Sequence, residues 1–473
     1  MSVETKSSEG RRMRVDVAIV GGGPGGIAAA VEAGRAGRRV VLVSDGPVGG
    51  RAMHASLLPS KVLLHLAEER ATRGDRGLAS AAAISEMTQA IERLVAHQRA
   101  RVEERLSDAG VTVIVGSARF TGPRELHVAR EAGPLTLELG RAIVASGSVP
   151  TFPAGFFGDA SGPDGEVIFA PRFVRSLRSL PETLLVIGGG ATGAEATSAF
   201  TDLGVKVTWI VDDLGLLPRF DRELASSLGD VLMERGVKIV HGKSVTSVTR
   251  DPRPDVPREQ RVLAKLEGGR SYGAERAFVA IGRVPDVARL SLEAAGVTID
   301  PRTGAIVVDA DGRTQSPDVF AVGDAAGAPF AANKAMAEGW RAARLATDRD
   351  AGPPLRGAWI ETVYSRPEVA RVGVTPEQAT RRGRPFEVRV ASYESSLRGV
   401  LAGAGRDPHA RGTLKVVLDA DERIEGAIAI GPQASEVLAP IATALHLGAR
   451  ADALRGLFLA EPSLTSIALE ALR

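Results

Sequence analysis

At 473 residues the chain is too long for a single core and is expected to form about three domains of ~150 residues each. A charged fraction of 25%, a formal net charge of +2 and the lack of any lysine/arginine run exclude an electrostatic case for nucleic-acid binding. The absence of cysteine excludes disulfide bonds, thiolate metal sites and all cysteine redox chemistry, and no metal site is expected.

Met1 to Arg12 is polar and charged, without the apolar centre of a secretion signal, and reads as a short mobile tail. No stretch approaches the ~18 uninterrupted apolar residues of a membrane span, so a cytoplasmic location is expected. Val15 to Val20 is a short apolar run leading into Gly21-Gly22-Gly23-Pro24-Gly25-Gly26, and Ile27 to Ala36 is alanine-rich and helical in character. Strand, glycine turn and helix form a dinucleotide-binding unit with Gly21, Gly23 and Gly26 in the GxGxxG places. Glycines there admit backbone amides to a pyrophosphate, which the positive end of the helix favours. A second strand, Arg39 to Val43, ends at Ser44 and Asp45, where a ribose would be held. Either Asp45 takes the hydroxyls or Ser44 binds them more weakly.

Next comes Gly49-Gly50-Arg51-Ala52-Met53-His54-Ala55-Ser56-Leu57-Leu58-Pro59-Ser60-Lys61, read as a loop entering a helix, with Pro59 in the first turn. This segment resembles the redox-active helix of the pyridine nucleotide-disulfide oxidoreductases, the flavoprotein family of dihydrolipoamide dehydrogenase, glutathione reductase and mercuric reductase. In that family Gly-Gly-Thr-Cys, four residues and a second cysteine precede x-Pro-Ser-Lys. On that pattern Gly49, Gly50, Pro59, Ser60 and Lys61 are kept, while the cysteine positions hold Ala52 and Leu57. His54 lies near the vacated thiol site, where a structural hydrogen bond is the plainer role for it than proton donation.

The resemblance continues in chain order. Val62 to Arg105 reads as two helices broken near Gly74 to Gly77. Val111 to Val115 is a strand, and in the following Gly116 to Phe120 the family places a backbone amide on the FAD adenine, here at Ala118. Ala145-Ser146-Gly147-Ser148-Val149-Pro150 resembles the family's Ala-Thr-Gly-Ser-x-Pro. A Gly/Asp/Pro-rich loop, Pro153 to Gly165, marks a boundary. A second unit then follows, with strand Leu184 to Ile187, turn Gly188-Gly189-Gly190-Ala191-Thr192-Gly193 and helix Ala194 to Leu203. A flavin plus a nicotinamide nucleotide is the obvious ligand pair for two such units. The position that is Glu in NADH-dependent members is Val211, followed by Asp212 and Asp213. An NADPH enzyme would want arginines there, so NADH is expected over NADPH.

Gly282-Arg283-Val284-Pro285-Asp286 resembles the family's Gly-Arg-x-Pro-Asn return to the FAD domain. Thr314 to Asp324 matches its second FAD motif, which implies that Asp324 accepts hydrogen bonds from the ribityl chain. Ala332, in Ala331-Ala332-Asn333-Lys334-Ala335, falls where family backbone meets the flavin pyrimidine edge. From about Gly352 strand-like alternation appears, as in Glu387 to Val390 and Thr413 to Leu418, with helical segments after Ser435 and Arg450. Trp359 to Gly373 resembles the opening of the family's C-terminal interface domain, which implies a homodimer. Where the family ends in a catalytic histidine and its glutamate, this chain has Glu461 and Ser466, a loss coherent with the missing thiols.

The expected fold is therefore α/β. Two Rossmann-like domains bind FAD (1–150 with 284–350) and NAD(P) (151–283), and a C-terminal α+β interface domain spans 351–473. The resemblance implies an FAD-dependent NAD(P)H oxidoreductase passing electrons from flavin to a small-molecule, non-disulfide acceptor, a quinone. The alternatives are a soluble transhydrogenase or NADH oxidase, and a non-catalytic FAD-binding protein. Lys61 and Glu195 match the family's ion pair beside the flavin; the competing role is a structural salt bridge.

Overall fold

The computed structural model describes residues 5–7, 10–75, 77–160, 162–251, 253, 255–355 and 357–473. The chain divides into two compact units, one of Met1–Pro59, Ala90–Thr151 and Gly282–Pro354, the other of Ser60–Gln89, Phe152–Ile281 and Leu355–Arg473.

The first unit is built on an eight-stranded sheet. Its main path runs Thr112–Val115, Val40–Ser44, Gly10–Val20, Leu135–Val144, Glu125–Ala129, Ser117–Gly122, and Val319–Ala321 joins parallel to Leu135–Val144. Val17 to Val20 and Val40 to Val43, beside the first glycine turn, read as unbroken apolar runs because both sheet faces are covered. Ala18, Val20, Val41 and Val43 point into one core, and Val17, Ile19, Val40 and Leu42 into the other, with the period of two that a strand imposes. The N-terminal stretch is not wholly a tail: Thr5–Ser7 pairs antiparallel with Gly10 to Arg12, while 1–4, 8 and 9 lie outside the described residues.

In the second unit Lys238–Val240, Lys206–Ile210, Thr183–Ile187, Arg276–Val279 and Ile168–Phe169 form an all-parallel sheet. A three-stranded antiparallel sheet, Val245–Arg250, Val262–Leu266 and Ser271–Ala274, is inserted before Arg276. The C-terminal part is a five-stranded antiparallel sheet, Glu361–Val363, Glu368–Gly373, Ile424–Gly431, Thr413–Asp419 and Phe386–Ser392, sharing its core with residues of the helices Ala439–Leu447 and Ala451–Arg455. This is the mixed α/β architecture expected, with a C-terminal α+β part.

Ion pairs tie the C-terminal sheet to the second dinucleotide unit. Lys415 lies 2.7 Å from Glu223 and 3.1 Å from Asp221, the latter also capping the helix Arg222–Glu234. Burial alone would lower the Lys415 pKa, but the hydrogen bonds it donates to Glu223 and Asp221 outweigh that and hold the ammonium above its ordinary value. Arg235 and Arg366 both reach Asp202.

The helix break expected near Gly74 to Gly77 falls between Leu57–Thr72 and Ala81–Asp108, with Arg76 outside the described residues. The boundary loop is better anchored than its composition implies. Phe156 and Phe157 are buried and pack edge to face at 5.0 Å, and the Asp164 carboxylate accepts from three successive amides, Glu166 to Ile168. Ser161 in that loop lies outside the described residues.

Candidate functional site

In the first unit Gly21 has φ +115°, and a Cβ there would stand 2.2 Å from the Ala145 carbonyl oxygen; one at Gly26 would stand 1.9 Å from the Gly21 oxygen. Both positions are therefore closed to side chains by backbone. At Gly23, between them, nothing lies within 4 Å of the Cβ position, and Gly23 is the N-cap of Pro24–Arg35 with no side chain capping it. An uncapped helix N-terminus facing open space suits a pyrophosphate. Gly50, at φ +57°, brings a second backbone segment against this turn, since a Cβ there would lie 2.8 Å from Gly23 Cα.

The segment after Gly50 differs from a plain loop. Gly50–His54 forms a short helix, and a second helix starts at Leu57. Pro59 has no N–H to return to the Ala55 carbonyl, so the two cannot run on as one. Ser56 closes the break by donating its hydroxyl to the Arg51 carbonyl. Arg51 reaches the Ser146 carbonyl and pairs with Asp286, tying this helix to the Gly282–Asp286 segment. His54 Nε2 lies 2.9 Å from the Val48 carbonyl, which accounts for this histidine structurally.

Around this turn, Ser44 is buried under Gly22, while Asp45 is exposed and lies 3.6 Å from Arg289. Ala118 is buried in the strand Ser117–Gly122, opposite Val128. Gly282, at φ +146°, turns the chain, with its carbonyl accepting from Thr151 N–H. Asp324 is half-buried, accepts a hydrogen bond from Ser148 Oγ, and is linked through that hydroxyl to Arg283 Nε at 2.8 Å. Burial pulls the Arg283 pKa down, with Asp324 opposing the shift. Ala332 opens the helix Ala332–Ala346, again with no capping side chain.

One brace here escaped motif reading. Lys334 is buried, pairs with Glu338 at 3.0 Å and donates to the Gly327 carbonyl, while Glu338 accepts from Gly323 N–H at 2.8 Å. The pair holds the turn that carries Asp324. The i,i+4 spacing was visible, but its burial was not.

The second unit repeats the glycine geometry. Gly188 has φ +117° and a virtual Cβ 2.2 Å from the Ala280 oxygen; Gly193 would clash with Gly188 at 2.0 Å; Gly190 faces open space and caps Ala191–Asp202 without a side chain. Val211 is fully buried with its N–H and carbonyl both bonded, to Val240 and Gly242, so it cannot hold a ribose as the aligned glutamate would. Burial excludes it as a polar ligand, and Asp212 is the first partly exposed acid beyond it. A cavity of about 430 Å³ beside Asp213 is lined by Arg222, His241 and Arg381 among others.

Lys61 and Glu195 are brought together in this unit. Lys61 Nζ lies 2.7 and 2.6 Å from the two Glu195 carboxylate oxygens, with side-chain exposures of 26% and 10%. Glu195 also accepts from the Tyr364 amide at 3.0 Å, and the ammonium stands 4.8 Å from the centre of the Tyr364 ring. Tyr364 was not singled out from sequence. Burial, then the charge of Glu368, pushes its phenol pKa up, so the ring is neutral at pH 7.

The vacated positions are unlike each other: Ala52 is half-buried, whereas Leu57 is 40% exposed. Glu461 is exposed, and Ser466 is buried with its hydroxyl on the Ser463 carbonyl. Among the described residues no three His, Asp or Glu side chains could hold a metal, and no helix is long and apolar enough to cross a membrane.

Residues 15–339 match the family pattern described as "Pyridine nucleotide-disulphide oxidoreductase", and 360–472 match its "dimerisation domain". A curated relative, "Dihydrolipoyl dehydrogenase" of Thermus scotoductus, is 34% identical over 466 residues, covering 96% of both chains. "Dihydrolipoyl dehydrogenase 2" of Haloarcula marismortui is 32% identical, covering 96% of this chain and 95% of its own. Among solved structures, LpdA from Mycobacterium tuberculosis superposes with a TM-score of 0.87 at 27% identity, covering 97% of this chain and 98% of that one. The HOCl-induced flavoprotein disulfide reductase RclA from Escherichia coli, as its Cu(II) complex, gives 0.82 at 25%, covering 97% and 99%.

Proposed function

Because the chain belongs to the pyridine nucleotide-disulphide oxidoreductase family, we propose that it is an FAD-dependent NAD(P)H oxidoreductase whose electron acceptor is not a disulfide but a quinone. One observation carries this reading: cysteine is absent from the whole chain, while the Lys61–Glu195 pair is intact and partly open to solvent. FAD, when bound, supplies the two-electron relay between nicotinamide and acceptor.

In this reading residues 1–150 and 284–350 bind FAD, 151–283 bind the nicotinamide nucleotide, and 351–473 form the interface of a homodimer. Gly21, Gly23, Gly26 and Gly50 admit the FAD pyrophosphate, Ser44 or Asp45 meets its ribose, and Ala118 its adenine. Asp324 serves the ribityl chain and Ala332 the pyrimidine edge, and Gly282 is a further cofactor-binding position. Gly188, Gly190 and Gly193 admit the second pyrophosphate. Lys61 holds a fixed positive charge where negative charge develops on reduction, and Glu195 orients it. Tyr364 fixes Glu195 in turn through its amide.

Asp212 and Asp213 favour NADH, since carboxylates accept from ribose hydroxyls and repel a 2′-phosphate. Arg222, His241 and Arg381 around the neighbouring cavity favour a second reading, in which NADPH is also taken. The ratio of kcat/KM for the two nucleotides separates these readings.

The deciding experiment is anaerobic titration of the flavin-loaded protein with NADH and then 1,4-naphthoquinone. The expected result is uptake of two electrons per flavin, no long-wavelength thiolate-to-flavin band, and reoxidation by the quinone. Reoxidation only by a nicotinamide analogue or by oxygen would move the assignment to a transhydrogenase or an oxidase. No bleaching by either nucleotide would leave a non-catalytic FAD-binding protein.

A further inference from the structure

We infer that Tyr364 is a positioning residue for the acceptor: its ring, set under the Lys61 ammonium, is the wall on which a planar aromatic quinone stacks. The inference rests on the quinone reading above and adds the surface that would recognise such a molecule.

Tyr364 follows the strand Glu361–Val363 and stands between two buried residues, Val363 and Ser365. Its neighbours anchor the backbone while the residue itself is 44% exposed. The backbone is held further by the hydrogen bond from its N–H to Glu195. An aromatic ring so restrained loses little freedom on binding a second ring, and offset stacking is the geometry aromatic pairs prefer.

The chemistry around the ring points to the same class of ligand. The Lys61 ammonium, 4.8 Å from the ring centre, is itself a quarter exposed. A quinone accepts two electrons and two protons to become a hydroquinone; NADH is the two-electron donor, one proton arrives with its hydride and the second comes from solvent. Negative charge gathers on the quinone oxygens before that second proton arrives, and a fixed ammonium beside them favours it. Aromatic and cationic surface together suit a planar, weakly polar oxidant.

The test compares Tyr364→Leu with Tyr364→Phe, using 1,4-naphthoquinone and ferricyanide, an acceptor that has no ring to stack. In Tyr364→Leu the kcat/KM ratio of naphthoquinone to ferricyanide should fall about tenfold, chiefly through KM for the quinone, and Tyr364→Phe should restore it. Calorimetric titration of naphthoquinone into the oxidised protein without NADH should show the same order of affinities. Equal loss with both acceptors, or no recovery in Tyr364→Phe, overturns the stacking role and leaves Tyr364 as a clamp on Glu195. If wild type binds naphthoquinone in a Tyr364-dependent way without reducing it, the wall stands and the acceptor assignment falls. If wild type neither binds nor reduces it, both fall.

Discussion

The two glycine turns of this protein are nearly superimposable in their constraints and differ in what surrounds them. Gly21 and Gly188 have φ of +115° and +117°, and a Cβ on either would sit 2.2 Å from a carbonyl oxygen of a neighbouring strand's end. Gly23 and Gly190 both face open space at an uncapped helix N-terminus. Around them, however, the first turn is approached by the backbone of Gly50, whereas in the second the Gly189 position is closed by Val211 and the Gly215 carbonyl. The glycine turn is thus a backbone device that recurs in both units, and the units differ in the segments packed beside it.

The most damaging way to break this symmetry is to fill one turn at a time. Overpacking costs about 1–3 kcal/mol, and forcing a non-glycine residue to positive φ adds about 1–2 kcal/mol. Gly21→Ala should therefore give protein with little flavin per chain, whereas Gly188→Ala should stay yellow and lose NADH-driven bleaching. Flavin content by absorbance and bleaching by stopped flow check the pair; equal flavin loss in both would mean the turns are not separable.

Charge beside the second turn should matter next. Lys61→Met should slow NADH-driven flavin reduction by about 10²–10³ with FAD still bound, as removal of a preorganised charge does. Glu195→Gln should act more mildly, because the cation remains. Stopped-flow bleaching at saturating NADH measures both, and an unchanged rate in Lys61→Met would reduce the pair to a salt bridge.

On the side of the first turn, Asp324→Ala removes a charge-assisted hydrogen bond worth about 1.5–3 kcal/mol, a roughly ten- to hundredfold weakening of FAD. Equilibrium FAD binding to the stripped protein is the measurement. Wild-type affinity would place the ribityl contact elsewhere.

The smallest effects are in pH, and they run in opposite directions in the two units. In the first, side-chain hydrogen bonding to Arg39 holds Asp16 below the usual carboxylate range despite partial burial. A depressed carboxyl stabilises above its unfolded pKa of about 3.9 and loses that contribution as pH falls through the folded value. In the second, Lys415 is raised, so its contribution is complete below about pH 10.4 and disappears as pH rises through the folded value. The difference in thermal midpoint between wild type and Asp16→Asn should narrow in acid, and that between wild type and Lys415→Met in alkali. Gaps constant with pH would remove both groups from the account.

The two turns, the Gly49-Gly50 approach and the loss of thiol chemistry were all legible in the linear chain. Each is a local demand: a few consecutive residues must leave out Cβ atoms, or a residue type is simply missing, and sterics within one turn settle the geometry. Lys61 and Glu195 were legible as a pair only through the family resemblance, since 134 residues separate them.

What the tertiary structure alone decided is burial and long-range partnership. It buried Val211 and left Asp212 partly exposed; it buried Lys334 and turned an ordinary i,i+4 pair into the brace of the Asp324 turn. It also grouped 152–281 with 355–473 in one unit and set Tyr364 on Glu195 from 169 residues away. Neither composition nor periodicity encodes such contacts, because they depend on which surfaces remain to be covered once each local element has formed.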